Sequence, residues 1–167
     1  STTGRGIGPC YADKASRFGI RMIDLLSKYD LAQRLDTIYP LKRGYVELLG
    51  GKLEIDVPEL LADLMNIASC YAYTFADTGN LLNYFLEVGH KILFEGAQSA
   101  HLDIDLGIYP YSTSSVCVAS GASSGTGVPL KHLNEVVGIV KAYTSRSGDG
   151  AFTTEIFGKD AERLRFL

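Results

Sequence analysis

Residues 89–98 read Gly-His-Lys-Ile-Leu-Phe-Glu-Gly-Ala-Gln. The short apolar run of Ile92, Leu93 and Phe94 lies between Gly89 and Gly96. A run of this length after two helical stretches reads as a buried strand whose C-terminal end feeds a loop. Immediately before it, residues 79–88 read as a helix that stops at Gly89, a natural position for a left-handed helix end. Further upstream, Asp56-Val57-Pro58-Glu59 is a helix start. Asp56 can cap the first-turn amides, Glu59 can return the favour, and Pro58 sits where a missing N–H costs nothing. Val57, Leu60, Leu61, Leu64, Ala68 and Tyr71 then keep a 3.6-residue period. Downstream, residues 136–143 carry Val136, Val137, Ile139 and Val140 and read as a second strand, ending in a loop at 145–150. Helices alternating with buried strands predict an α/β protein with a mostly parallel buried sheet and flanking helices. Ligands in such sheets bind beyond the carboxyl ends of the strands, which singles out the loops starting at Gly96 and Ser145.

The remaining stretches are less regular. STTGRGIGP (1–9) reads as a loop, residues 10–27 as a helix interrupted at Gly19, and residues 29–49 as a helix broken near Pro40. The 167 residues are about one domain's worth. A chain of this length can bury roughly 70% of its unfolded surface. A formal net charge of −3 argues against a nucleic-acid backbone or an anionic membrane as the main partner. Cys10, Cys70 and Cys117 are too few and too scattered for a disulfide framework or a zinc site. With no long apolar run and no signal segment, the composition reads as soluble and intracellular. The Gly-rich opening at Ser1 and the abrupt stop at Leu167 read as the middle of a larger chain.

Four places carry residues with chemical potential. Thr2, Thr3, Arg5 and three glycines of the opening, with Lys14, Arg17 and Arg21 beyond, offer amides, hydroxyls and guanidinium forks to a phosphate. The same residues also suit a flexible turn beside a solvated basic face, and no Gly-Lys-Ser/Thr closes a Walker loop. Gln98 can recognise a purine or carbonyl edge, or hydrogen-bond its own loop. Asp103 and Asp105, if extended, share a face that suits a cation or an acid/base pair; simple alternation instead turns both outward while Leu102 and Ile104 point in. His101 lacks ligand-spaced companions. Residues 109–115, Tyr-Pro-Tyr-Ser-Thr-Ser-Ser, supply a rigid aromatic turn and hydroxyls fit for helix capping or for phosphate oxygens, without the GxSxG elbow of a serine hydrolase.

Taken together, STTGRGIGPCYADKASRFGIR (1–21), FEGAQSAHLDIDLGIYPYSTSS (94–115) and EVVGIVKAYTSRSGDGAFTTE (135–155) resemble three signature blocks of the adenylosuccinate synthetase family, in the family's order. The resemblance covers nearly the whole chain and implies a P-loop-NTPase-like α/β fold. It implies a cytoplasmic, homodimeric, GTP-dependent ligase that joins inosine monophosphate (IMP) and L-aspartate, with magnesium, in purine biosynthesis. An Asp base and a His acid serve that reaction. Residue by residue, it assigns Thr3 and Thr113 to the IMP 5′-phosphate and Gln98 to the bound nucleotide. It assigns Arg17 to the partner subunit's IMP across the dimer interface, and Arg5 to the aspartate or phosphoryl region.

The family's GDEGKGK-type loop, its catalytic Asp and His, the aspartate-binding TTGR-type loop and the guanine-binding elements have no counterpart in these residues. The expectation is therefore a central IMP-binding and dimerisation portion (1–167) of a larger α/β domain, with no catalytic residue or magnesium ligand of its own. Ser99, His101, Ala151, Thr153 and Ala119-Ser120-Gly121 depart from the family pattern, which leaves loop geometry near 99–101 and 148–153 open. Two other readings stand beside it: a non-catalytic chain that binds purine nucleotide or only dimerises, and an unrelated α/β phosphate-binding enzyme.

Overall fold

The computed structural model describes residues 4–146 and 150–166. The chain divides into two compact units, one of Gly6–Leu81 and one of Leu82–Leu167 with Ser1–Arg5.

The Gly6–Leu81 unit is helical. Helix α1 spans Ile7–Ser16, so the predicted loop gives way to helix after Gly6. The reason is positional: Ile7, Gly8 and Pro9 occupy the first turn, whose N–H groups have no intrahelical partner, so Pro9 forfeits nothing there. The helix ends earlier than expected, at Arg17, which takes the left-handed conformation (φ 66°) and donates its N–H to the Lys14 carbonyl. Lys42 pairs with Asp13. A 3₁₀ turn, Met22–Leu26, follows, and Asp24 accepts from the Arg21 amide at 2.7 Å.

Helix α2 runs unbroken over Lys28–Leu48 with Pro40 inside it. One missing amide is offset by the helix's apolar face, where Leu31, Leu35 and Ile38 are buried. Helix α3, Val57–Tyr71, starts as predicted: Asp56 accepts from the Glu59 amide at 2.9 Å. Leu25, Leu31, Leu35 and Ala68 form the core, with Val57, Leu60, Leu61, Leu64, Met65 and Phe75 packed against it.

Helix α4, Thr78–Glu87, ends where Gly89 (φ 89°) allows it. His90 N–H donates to the Phe85 carbonyl at 2.8 Å and Gly89 N–H to Leu86 at 3.1 Å. The His90 ring packs edge-on to Phe85, which completes a Schellman closure. Among the described residues the Leu82–Leu167 unit then has two short α-helices, α5 (Ser120–Thr126) and α6 (Lys159–Arg165), and its buried apolar residues are Val128 and Ala161.

No strand occurs among the described residues. The segments 91–95 and 136–143, predicted as buried strands, run outside regular structure, and Leu93 is 91% and Ile139 95% exposed. A strand exists only through its ladder, and neither segment has a ladder partner among the described residues. The accessible surface tells the same story in area. The chain exposes 13395 Å² at 18.1 kDa, whereas a self-contained globule of that mass exposes about 8,100 Å² and its unfolded chain about 26,000 Å². About half of the unfolded surface is buried, short of the roughly 70% that the length permits.

Candidate functional site: a loop cluster built on a buried carboxylate

The loops after residue 95 are organised by Asp103, which is 1% exposed. One carboxylate oxygen accepts from the Asp105 and Leu106 amides, each at 2.9 Å. The other accepts from the Cys117 amide at 2.6 Å and from Val118 at 3.3 Å. Four amides compensate the burial of a charge that would otherwise be prohibitive. The Leu106 and Cys117 amides lead in holding the Asp103 carboxyl below the usual aspartate range, against the opposing push of burial. The expectation that Asp103 faces outward by alternation, or pairs with Asp105 on one face, is therefore corrected: Asp103 is inside and Asp105 outside. Its backbone follows a turn rather than an extended strand, so the two-residue period does not apply.

Around this carboxylate the chain closes tightly. Thr113 N–H donates to the Leu102 carbonyl at 2.7 Å and Ile104 N–H to Ser115 at 3.2 Å. A Cβ on Gly107 would lie 2.6 Å from the His101 carbonyl oxygen and would also strike the Asp103 carbonyl, so only glycine fits. The hydroxyl run 112–115 does not cap a helix: α5 begins at Ser120 behind Ala119, with no side-chain cap. Ser112 Oγ is buried without a hydrogen-bond partner. Arg146 donates to the Tyr111 carbonyl at 3.0 Å.

Gln98 and Thr113 both belong to this cluster. Gln98 is exposed, adopts φ 64°, and its Oε1 lies 3.4 Å from Cys117 Sγ. Thr113 is half-buried. Arg5 is exposed between Gly4 (φ 65°) and Gly6 (φ 74°), and Arg17 is exposed in the other unit. Thr3 and the 147–149 part of the third block lie outside the described residues.

Among the described residues, Arg17 and Gln98 are the non-glycine residues with positive φ. Left-handed backbone costs an ordinary residue about 1–2 kcal/mol. Arg17 has a local reason, as the end of α1. Gln98 lies in a loop bend rather than at the end of an α-helix, and such outliers gather at ligand sites. Nothing among the described residues groups three or more His, Cys, Asp or Glu for a metal ion. No described helix is long and apolar enough to cross a membrane.

The arrangement is a loop cluster held by directional bonds to one buried carboxylate. The family model described as adenylosuccinate synthetase matches residues 1–166. The chain belongs to the adenylosuccinate synthetase family. It is 45% identical over 164 residues, 98% of its length, to the adenylosuccinate synthetase of Pelobacter propionicus, and 41% identical over 163 residues to that of Mycobacterium leprae. It spans 38% of the length of those relatives. The structure of fully ligated adenylosuccinate synthetase from Plasmodium falciparum superposes with a TM-score of 0.88 at 38% identity, over 97% of this chain and 37% of that one. The family expectation drawn from the three blocks is thus correct.

Proposed function

We propose that these residues serve a GTP-dependent ligase that makes adenylosuccinate from IMP and L-aspartate, and that their part is to hold IMP. The observation that carries this reading is Gln98: an exposed side chain kept on strained backbone, in a loop cluster fixed by a buried carboxylate. In the reaction, the γ-phosphoryl group of GTP moves to O6 of IMP and GDP leaves. The aspartate amine then forms the C6–N bond as the C6–O bond breaks and phosphate departs. Such a transfer depends on positioning and on donors to developing oxygen charge. Gln98 lies beside the nucleotide, Thr3 and Thr113 donate to its 5′-phosphate, and Arg5 serves the aspartate or phosphoryl region. Arg17 reaches the IMP of a second copy in a homodimer.

The magnesium of this reaction takes its ligands from outside these 167 residues, and no step assigned to this chain runs through it. In the complete protein the segments 91–95 and 136–143 become strands of a mostly parallel sheet in a P-loop-NTPase-like domain by pairing with chain beyond these 167 residues; their exposure and the 37% coverage of the matching structure support this. The setting is cytoplasmic purine biosynthesis, and the chain by itself is inactive.

The test is Arg17→Ala in the complete protein. Removal of a charge-assisted phosphate contact weakens IMP binding by about tenfold or more. The deficit is relieved in mixed dimers whose intact subunit supplies the arginine. Unchanged IMP affinity in the variant would remove Arg17 from the site, and no IMP binding by the unaltered protein would reject the reading.

A further inference from the structure

We infer that Asp103 is a positioning residue for the nucleotide site, acting through Cys117 on the side chain of Gln98; the inference rests on the reading of Gln98 as a nucleotide contact. Asp103 is buried and its carboxylate takes the Cys117 amide at 2.6 Å, a short charge-assisted bond that fixes where residue 117 sits. The Cys117 thiol is half-buried, with its sulfur 3.4 Å from Gln98 Oε1 and 3.5 Å from the Ser115 carbonyl. The thiol donates to Oε1, so the Gln98 amide is held with its oxygen turned to the protein and its NH₂ left for an acceptor on a ligand. Gln98 needs this hold: an exposed side chain on left-handed backbone has no packing of its own to select a rotamer. The same carboxylate binds the Asp105 and Leu106 amides, so the loop carrying Leu102, which receives the Thr113 amide, is set by the same group.

The experiment measures KM for IMP, GTP and aspartate, and the melting temperature, in the complete enzyme bearing Asp103→Asn, Cys117→Ala or Cys117→Ser. An asparagine amide turned toward Cys117 N–H would set donor against donor, so Asp103→Asn is expected to raise the IMP KM by about tenfold. Cys117→Ala is expected to raise it severalfold, and Cys117→Ser, which restores a donor, to recover most of that. KM for GTP and the melting temperature of the Cys117 variants stay near those of the parent. If Asp103→Asn fails to fold, the Cys117 pair still decides. Equal IMP KM in Cys117→Ala and the parent overturns the inference, as does a parallel rise of all three KM values with a falling melting temperature. Loss of IMP binding in the parent itself would instead reject the underlying reading.

Discussion

The two units of this chain are held together by different forces. Gly6–Leu81 is an apolar assembly in which α2 and α3 close over Leu25, Leu31, Leu35 and Ala68. Among the described residues, the buried apolar residues of Leu82–Leu167 are Val128 and Ala161, and this unit is organised instead by the Asp103 carboxylate and backbone bonds between loops. Apolar packing is non-directional and tolerant; a carboxylate with four amide donors fixes angles and distances. Gln98 and Thr113, the proposed nucleotide contacts, lie in the region built on directional bonds.

The contrast can be broken most strongly from the helical side. Leu31 is fully buried, and Leu31→Ala is expected to cost about 2–5 kcal/mol. Hydrogen exchange should show faster opening of α2 and α3 amides while the Cys117 and Leu106 amides keep their protection. Next comes Gly107→Ala, which forces a methyl group against two carbonyls and should cost about 1–3 kcal/mol. Its signature is the reverse: the Cys117 and Leu106 amides lose protection and α2 does not.

Acidification is gentler and separates the units without mutation. The Asp103 carboxyl is depressed in the folded state, so unfolding takes up a proton at acid pH. Its contribution is whole above the usual aspartate range and fades as pH falls through that range toward the folded value. Amides of the loop cluster are expected to lose protection over that window before those of α2, and Asp103→Asn should abolish the difference. Asp56→Ala removes the cap of α3 and should cost about 1 kcal/mol, seen in urea melts. The smallest effect belongs to Gln98→Gly, which relieves left-handed strain and should gain at most about 1 kcal/mol in the same melts while losing IMP affinity.

Much of the helical structure was legible in the sequence because helices are local. The Asp56 cap, the period of Val57 to Ala68 and the stop at Gly89 rest on contacts within a few residues and appear in the structure, whereas Tyr71, the last residue of that period, is exposed. Pro40 misled because one lost amide matters less than the buried face of Leu31, Leu35 and Ile38. The expectation of strands at 91–95 and 136–143 rests on composition, but a ladder needs a neighbour that the described residues do not provide among themselves. Asp103 was hidden for a related reason. Its donors at 117 and 118 are more than a dozen residues away, and alternation of Leu102 and Ile104 pointed it outward. Gly107 next to an Asp-x-Asp segment was the available sign of a tight turn.

The most direct measurement is a crystal structure of the complete enzyme with IMP bound. The purine is expected beside the Gln98 amide, with the 5′-phosphate within hydrogen-bond reach of the Thr113 hydroxyl. A nucleotide lodged away from both side chains, with Gln98 open to solvent, would contradict it.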